Sequence, residues 1–330
     1  MKIAFFNTKD YDRQFFNEAN KDFQHDIHYL SPHLNSESTA LIQDENVVCA
    51  FINDCLDAEV LHALKRKGIA LVALRSAGYN HVDIDAANDL DLPVVRVPAY
   101  SPHAVAEHAA SLLLTLNRKT HRAFNRVREG DFSLHGLLGY DLHGKTVGVV
   151  GTGNIGRAFI HIMRGFGCRV LAYDVRPDPQ LLADGLEYVS LKDLFARSEI
   201  LSLHCPLTPT TEHLINTDSL ALMRDGVTLI NTSRGKLIDT KDVIQALKTG
   251  KIGLLGLDVY EEEEEYFYED LSSTVIQDDL LSRLLTFPNV IITSHQAFFT
   301  REALTQIAHT TLDNIRVYEQ EGRVQNGVNA

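Results

Sequence analysis

Four segments of this 330-residue chain place chemistry-bearing side chains directly after an apolar run. His204-Cys205-Pro206 follows residues 200–203, and Thr232-Ser233-Arg234-Gly235 follows residues 227–231. Asp258-Val259-Tyr260-Glu261-Glu262-Glu263 follows Leu257, and Ser294-His295-Gln296-Ala297-Phe298 follows residues 290–293. If each run is a strand of an open α/β sheet, these residues share the edge beyond the strand carboxyl ends, where ligands bind. An arginine there can hold a carboxylate and polarise a carbonyl, and a histidine can pass a proton near neutral pH. That set suits the reduction of a 2-keto acid, provided a cofactor supplies the hydride.

Residues 145–174 supply the cofactor signal. An apolar run leads into Gly151-Thr152-Gly153-Asn154-Ile155-Gly156, an amphipathic stretch follows, and a second apolar run ends in Asp174. Gly151 permits the tight turn, Gly153 lets the backbone approach a pyrophosphate at the helix N-terminus, and Gly156 allows close helix packing. Asn154 and Ile155 complete the loop. The glycine pattern alone would be weak; the strand before, the helix after and the acid at the end carry the reading. Asp174 can accept ribose hydroxyls, and its charge would repel a 2′-phosphate. NAD is therefore expected, with Arg176 leaving NADP as the lesser alternative. His103, Glu107 and His108 only approximate a zinc motif, with HxxxEH spacing where HxxEH is needed. No metal is expected, and His108 reads as structural.

These residues need elements to position them. Strands are expected at 2–6, 26–30, 47–52, 71–74 and 94–97, with helical stretches between, for example 58–67. This βα series has no glycine-rich loop. After Pro98 and Pro102 a helix is expected over 103–117, with Val105, Ala109, Leu112, Leu113 and Leu116 on one face. Six further strands are expected at 146–150, 169–173, 200–203, 227–231, 254–258 and 290–293, then a last helix over 301–321. The fold class is α/β, with two Rossmann-like or flavodoxin-like parallel-sheet domains and an interdomain cleft. The expected division is a discontinuous substrate-binding domain, 1–100 with 297–330, and an NAD-binding domain, 101–296.

Composition narrows the partners. A net charge of −13 argues against nucleic acid and anionic membranes, though not against a small anionic substrate facing a local arginine. The four cysteines show no CxxC pair, so a reduced, cytoplasmic setting is expected. The apolar start of the chain is too short for a signal peptide, and no run approaches the length of a membrane span.

Over nearly its whole length the chain resembles the D-isomer-specific 2-hydroxyacid dehydrogenases. Six stretches carry the likeness, in order: Arg75-Ser76-Ala77-Gly78-Tyr79-Asn80, Val97-Pro98-Ala99-Tyr100-Ser101-Pro102, the glycine loop, Asn231–Gly235, Asp258–Glu263 and Ser294–Thr300. The resemblance implies that Arg234 binds the substrate carboxylate and polarises its carbonyl, and that His295 is the general acid/base. It implies that Glu263, the third glutamate of the run 261–265, pairs with that histidine; Glu262 and Glu264 stand as alternatives. The amides of Ala77 and Gly78 would also hold the carboxylate, and Tyr100 would point into the pocket. Val175, Cys205, Pro206, Thr232 and Asp258 would join the glycine loop in contacting the cofactor. Ser294 before the histidine, Phe298 and Phe299 after it, and the aromatic-acidic stretch 266–271 resemble the family's lactate-type branch. Phe298 would wall a small apolar pocket suited to a methyl group. The expectation is reduction of pyruvate to D-lactate with NADH by a homodimer or homotetramer. A bulkier 2-keto acid is the alternative substrate, and an NAD(H)-sensing binding protein is the alternative class.

Overall fold

The computed structural model describes residues 1–263 and 266–329; Glu264, an alternative partner for His295, lies outside the described residues, as does Glu265. The chain forms two compact units, Met1–Ser101 together with the segment from Phe299, and Pro102–Phe298.

The first unit holds five parallel strands: β1 (Lys2–Phe5), β2 (Asp26–Tyr29), β3 (Val47–Ala50), β4 (Leu71–Leu74) and β5 (Val94–Val95). Their order is β2-β1-β3-β4-β5, the flavodoxin-like arrangement. Strands β3 and β4 are buried at every position, which is why they read as unbroken apolar runs. Helix Arg301–Glu321 starts on Thr300, whose hydroxyl accepts from the Ala303 amide, and stops at Gly322 in a left-handed conformation. Beyond β4 the chain buries Arg75. Its guanidinium lies 3.5 Å from the Asp12 carboxylate and donates to Asn7 O at 2.9 Å, between the rings of Phe5 and Phe51. A buried charge needs such partners.

The second unit holds seven parallel strands: β6 (Thr146–Val150), β7 (Arg169–Tyr173), β8 (Glu187–Tyr188), β9 (Ile200–Leu203), β10 (Val227–Asn231), β11 (Ile252–Leu257) and β12 (Val290–Ile292). Their order is β12-β11-β10-β9-β6-β7-β8. Leu171, Leu201, Leu229 and Leu255 enter one apolar cluster, and Val147, Val149, Ala172, Ile200 and Ile230 another, as successive side chains of a doubly covered sheet must. The sequence reading of six strands needs correction. Strand β8 is a two-residue edge strand, too short and too exposed to leave an apolar run. Helix Pro102–Arg118 covers the stretch expected at 103–117. A second helix, Thr120–Arg128, buries none of its residues. No helix among the described residues is long and apolar enough to cross a membrane.

Candidate active site

Strand order in the second unit reverses between β6 and β9, and the glycine loop leaves the sheet at that switch point. Gly151 has φ +93°, and a Cβ on it would lie 2.7 Å from the His204 carbonyl beyond β9; a Cβ on Gly156 would lie 2.0 Å from Gly151 O. Only glycine fits either place. Gly153 differs: a Cβ there would meet no protein atom within 4 Å. It is the N-cap of helix Asn154–Gly165, has no side-chain cap, and is followed by no acid in the first turn. The amides of that turn, including Asn154 and Ile155, are therefore left to an anion.

Asp174 follows β7 with its carboxylate pinned. One oxygen accepts from Thr152 N at 2.6 Å and Thr152 Oγ1 at 3.1 Å, the other from Arg176 N at 2.8 Å. The Tyr188 hydroxyl on β8 donates to Thr152 Oγ1 at 2.9 Å, so the edge strand fixes the acid indirectly. Neither Thr152 nor Tyr188 could be singled out in the sequence: one is a variable place in the loop, the other lies on the missed strand. Val175 beside Asp174 is exposed. Cys205 is buried, its carbonyl accepting from Ser233 Oγ at 2.7 Å, and Pro206 is exposed. Thr232 is buried, and its hydroxyl oxygen has no hydrogen-bond partner among the described residues. An orphaned hydroxyl, an uncapped helix and a glycine with open space above it together suit a bound dinucleotide.

His204 lies beneath the glycine loop. The residue keeps some exposure, but its ring is desolvated between Ser202 Oγ, 2.9 Å from Nε2, and the Phe159 ring. Burial pushes its pKa from 6.5 down to about 3. The unfolded chain thus takes up a proton there as pH drops below 6.5, whereas the folded chain refuses it until about 3. Folding stability should fall across that window, and His204→Gln should narrow the gap in melting temperature between pH 8 and pH 5. Thermal melts of both proteins at the two pH values would decide it; an unchanged gap would rule His204 out as an acid sensor.

Arg234 follows β10 in a turn whose backbone Asn231 holds on both sides. Asn231 Nδ2 donates to Arg234 O at 2.8 Å, and Asn231 Oδ1 accepts from Ser233 N at 3.0 Å. Arg234 is half-buried, and its guanidinium donates to Ser233 O at 2.7 Å.

His295 follows β12. Its Nδ1 lies 2.7 Å from Glu263 Oε1, with both side chains more than four-fifths buried. Glu263 Oε2 accepts from Tyr260 N at 2.9 Å. Within the run, Glu261 instead serves His213 and the Thr240 amide, and Glu262 is exposed. The His295 backbone is left-handed, φ +51°, a conformation costly for a non-glycine residue. It is held by three bonds: its N donates to Asp258 O at 2.7 Å and Thr293 O at 3.1 Å, and its O accepts from Tyr268 OH at 3.1 Å.

Asp258, read in the sequence as a cofactor contact, is fully buried and spends both carboxylate oxygens on this turn. They accept from the Thr293 hydroxyl and from the amides of Gln296 and Ala297, at 2.6–2.9 Å. His108 joins the same group, its Nε2 lying 3.0 Å from Thr293 Oγ1 and 3.3 Å from Asp258 Oδ1. Phe298 is buried just past the turn. Ala77, Gly78 and Tyr100, all partly buried, belong to the first unit.

Comparison with known proteins bears on the fold and on the cofactor. Residues 110–297 match the D-isomer specific 2-hydroxyacid dehydrogenase, NAD binding domain. The chain is 53% identical to 2-hydroxyacid dehydrogenase homolog 2 of Schizosaccharomyces pombe over 94% of each protein. The apo structure of D-lactate dehydrogenase from Escherichia coli superposes with a TM-score of 0.91 at 46% identity, covering 99% of this chain and 100% of that one. The pyruvate reductase of Chlamydomonas reinhardtii superposes with a TM-score of 0.94 at 42% identity, covering 99% and 98%.

Proposed function

This chain belongs to the D-isomer-specific 2-hydroxyacid dehydrogenases and is an NAD-dependent oxidoreductase, and on that premise we propose that it reduces pyruvate to D-lactate with NADH. The observation that carries the proposal is the His295–Glu263 pair, 2.7 Å apart at the carboxyl edge of a dinucleotide-binding sheet. The names of the D-lactate dehydrogenase and the pyruvate reductase among its structural neighbours support it.

In this reading the glycine loop, the first turn of helix Asn154–Gly165, Asp174 and Thr232 hold NAD, which supplies or accepts the hydride when bound. Arg234 takes the substrate carboxylate and draws electron density toward the carbonyl oxygen. A carboxylate only accepts, so Glu263 keeps the proton of His295 on Nδ1 and leaves Nε2 as the nitrogen that gives or takes the substrate's proton. The amides of Ala77 and Gly78 are a second hold on the carboxylate, and Tyr100 and Phe298 limit the room for the substrate's side chain.

The test is NADH oxidation with pyruvate, 2-ketobutyrate and 2-ketoisocaproate, with chiral analysis of the product. kcat/KM should fall along that series, the lactate should be the D-isomer, and NADPH should serve poorly because Asp174 opposes a 2′-phosphate. A preference for 2-ketoisocaproate would move the chain to bulkier acids, and no turnover with any of them would leave a binding protein.

We also propose that the second unit pairs with a second copy of the chain through helix Thr120–Arg128 and the segment after it. Phe124, Val127, Phe132, Leu134 and Leu138 are all more than half exposed there, a density of large apolar groups that a monomer does not carry without use. The unaltered protein should sediment as a dimer or larger, and Phe132→Asp with Leu138→Asp should shift it toward monomer. A monomeric unaltered protein at micromolar concentration would end this proposal.

A further inference from the structure

In the first unit, the chain leaves β4 and bends at residues 75–77, leading into the Ala77–Gly78 peptide. Arg96, just past β5, reaches this bend: its Nη1 donates to Ala77 O at 2.7 Å, and its guanidinium sits 5.2 Å from the centre of the Tyr79 ring. Ser76 Oγ closes the bend by donating to Gly78 O at 2.8 Å, and Val97 N donates to Ser76 O at 3.1 Å. Arg96 is itself anchored. Its N donates to Asn326 O at 3.1 Å, its O accepts from Asn314 Nδ2 at 2.9 Å, and the side chains of Asn326 and Asn314 bond to each other at 2.8 Å.

No cis peptide occurs among the described residues, so Ala77 C=O and Gly78 N–H lie in their shared plane and point in opposite directions. A cation bonded to that carbonyl does two things. It fixes the plane, so that the Gly78 N–H faces away from Arg96, and it draws electron density toward the oxygen, making the N–H a stronger donor to an anion.

We propose that Arg96 is a positioning residue for the substrate: it holds and polarises the Ala77–Gly78 peptide so that the Gly78 amide is presented to the substrate carboxylate. This rests on the reading above that those amides take the carboxylate. Arg96 acts through the peptide and needs no contact with the substrate.

The experiment compares the unaltered protein with Arg96→Met and Arg96→Lys by pyruvate kinetics, oxamate binding to the NADH-loaded protein, NADH affinity and thermal melting. Arg96→Met should raise the pyruvate KM and the oxamate Kd about five- to tenfold, the scale of one charge-assisted hydrogen bond felt through a peptide. Its kcat at saturating pyruvate and its NADH affinity should stay within about twofold, because the change falls on carboxylate binding alone. Arg96→Lys keeps a charged donor and should recover most of the loss. Unchanged oxamate affinity in Arg96→Met would overturn the proposal. So would a joint loss of kcat, NADH affinity and melting temperature that lysine does not repair, because that pattern marks a plain structural support. Failure of the unaltered protein to bind oxamate or turn over pyruvate would instead take down the 2-keto acid reading, and this inference with it.

Discussion

Replacing His295 should lower kcat for pyruvate reduction by about 10²–10⁴-fold at every pH, the usual contribution of a positioned general acid. The ring's Nδ1 is committed to Glu263 at 2.7 Å, so Nε2 is the one nitrogen left to serve the substrate, and no other group in the described turn can replace it. His295→Asn is the cleaner variant, because asparagine tolerates the left-handed backbone at this position and alanine adds strain. Pyruvate reduction takes a proton from this ring and lactate oxidation returns one to it, so the loss should appear in both directions. Glu263→Gln keeps the shape of the partner, but its amide can offer Nδ1 a donor and so turn the ring to the wrong tautomer. It should therefore lose activity by about tenfold or more without loss of NADH affinity. pH–rate profiles of the three proteins in both directions provide the check. A fully active His295→Asn would overturn the mechanism, and an unaffected Glu263→Gln would detach the carboxylate from it.

Arg234→Gln should lower kcat/KM for pyruvate by about 10²–10³-fold, the scale seen when a donor to a developing oxyanion is removed. The loss should appear in both kcat and KM, because one guanidinium is asked to hold the carboxylate and to polarise the carbonyl. Arg234→Lys should lie between, since a lysine offers charge without the planar fork. The turn should survive either change, because Asn231 holds its backbone through Arg234 O and Ser233 N. NADH affinity should consequently stay put. Pyruvate kinetics at saturating NADH, with cofactor titration alongside, separates the cases; near-normal kcat/KM in Arg234→Gln would remove this residue from the reaction.

Much of the architecture was legible in the residues themselves. Strands covered on both faces are apolar over most of their length, so β3, β4, β6, β9 and β10 stand out as runs, and the residues that follow them mark the sheet edge. The glycine loop was legible because its spacing answers a backbone requirement that no other residue meets, as the close approaches at Gly151 and Gly156 demonstrate. Helix Arg301–Glu321 covers the range expected, and its ends have local causes in the threonine before it and the glycine after it. By contrast, β8 has two residues at a sheet edge, and its length follows from where β7 offers hydrogen bonds and not from any pattern of its own.

Side-chain partnership was a different matter. Residue type and place along the chain determined that a glutamate, an aspartate, an arginine and a histidine would lie near one sheet edge. The family resemblance had already pointed to Glu263 as the partner of His295, and the two side chains meet at 2.7 Å; only the tertiary structure decided that Asp258 turns inward to grip the 293–297 turn and that His108 joins it. It also decided that Arg96 lies behind the Ala77 carbonyl. The reason is physical: strand and helix patterns repeat over a few residues and are set by local backbone geometry. These contacts instead join residues from 19 to 185 positions apart, and depend on the twist and spacing of strands that the local sequence does not encode.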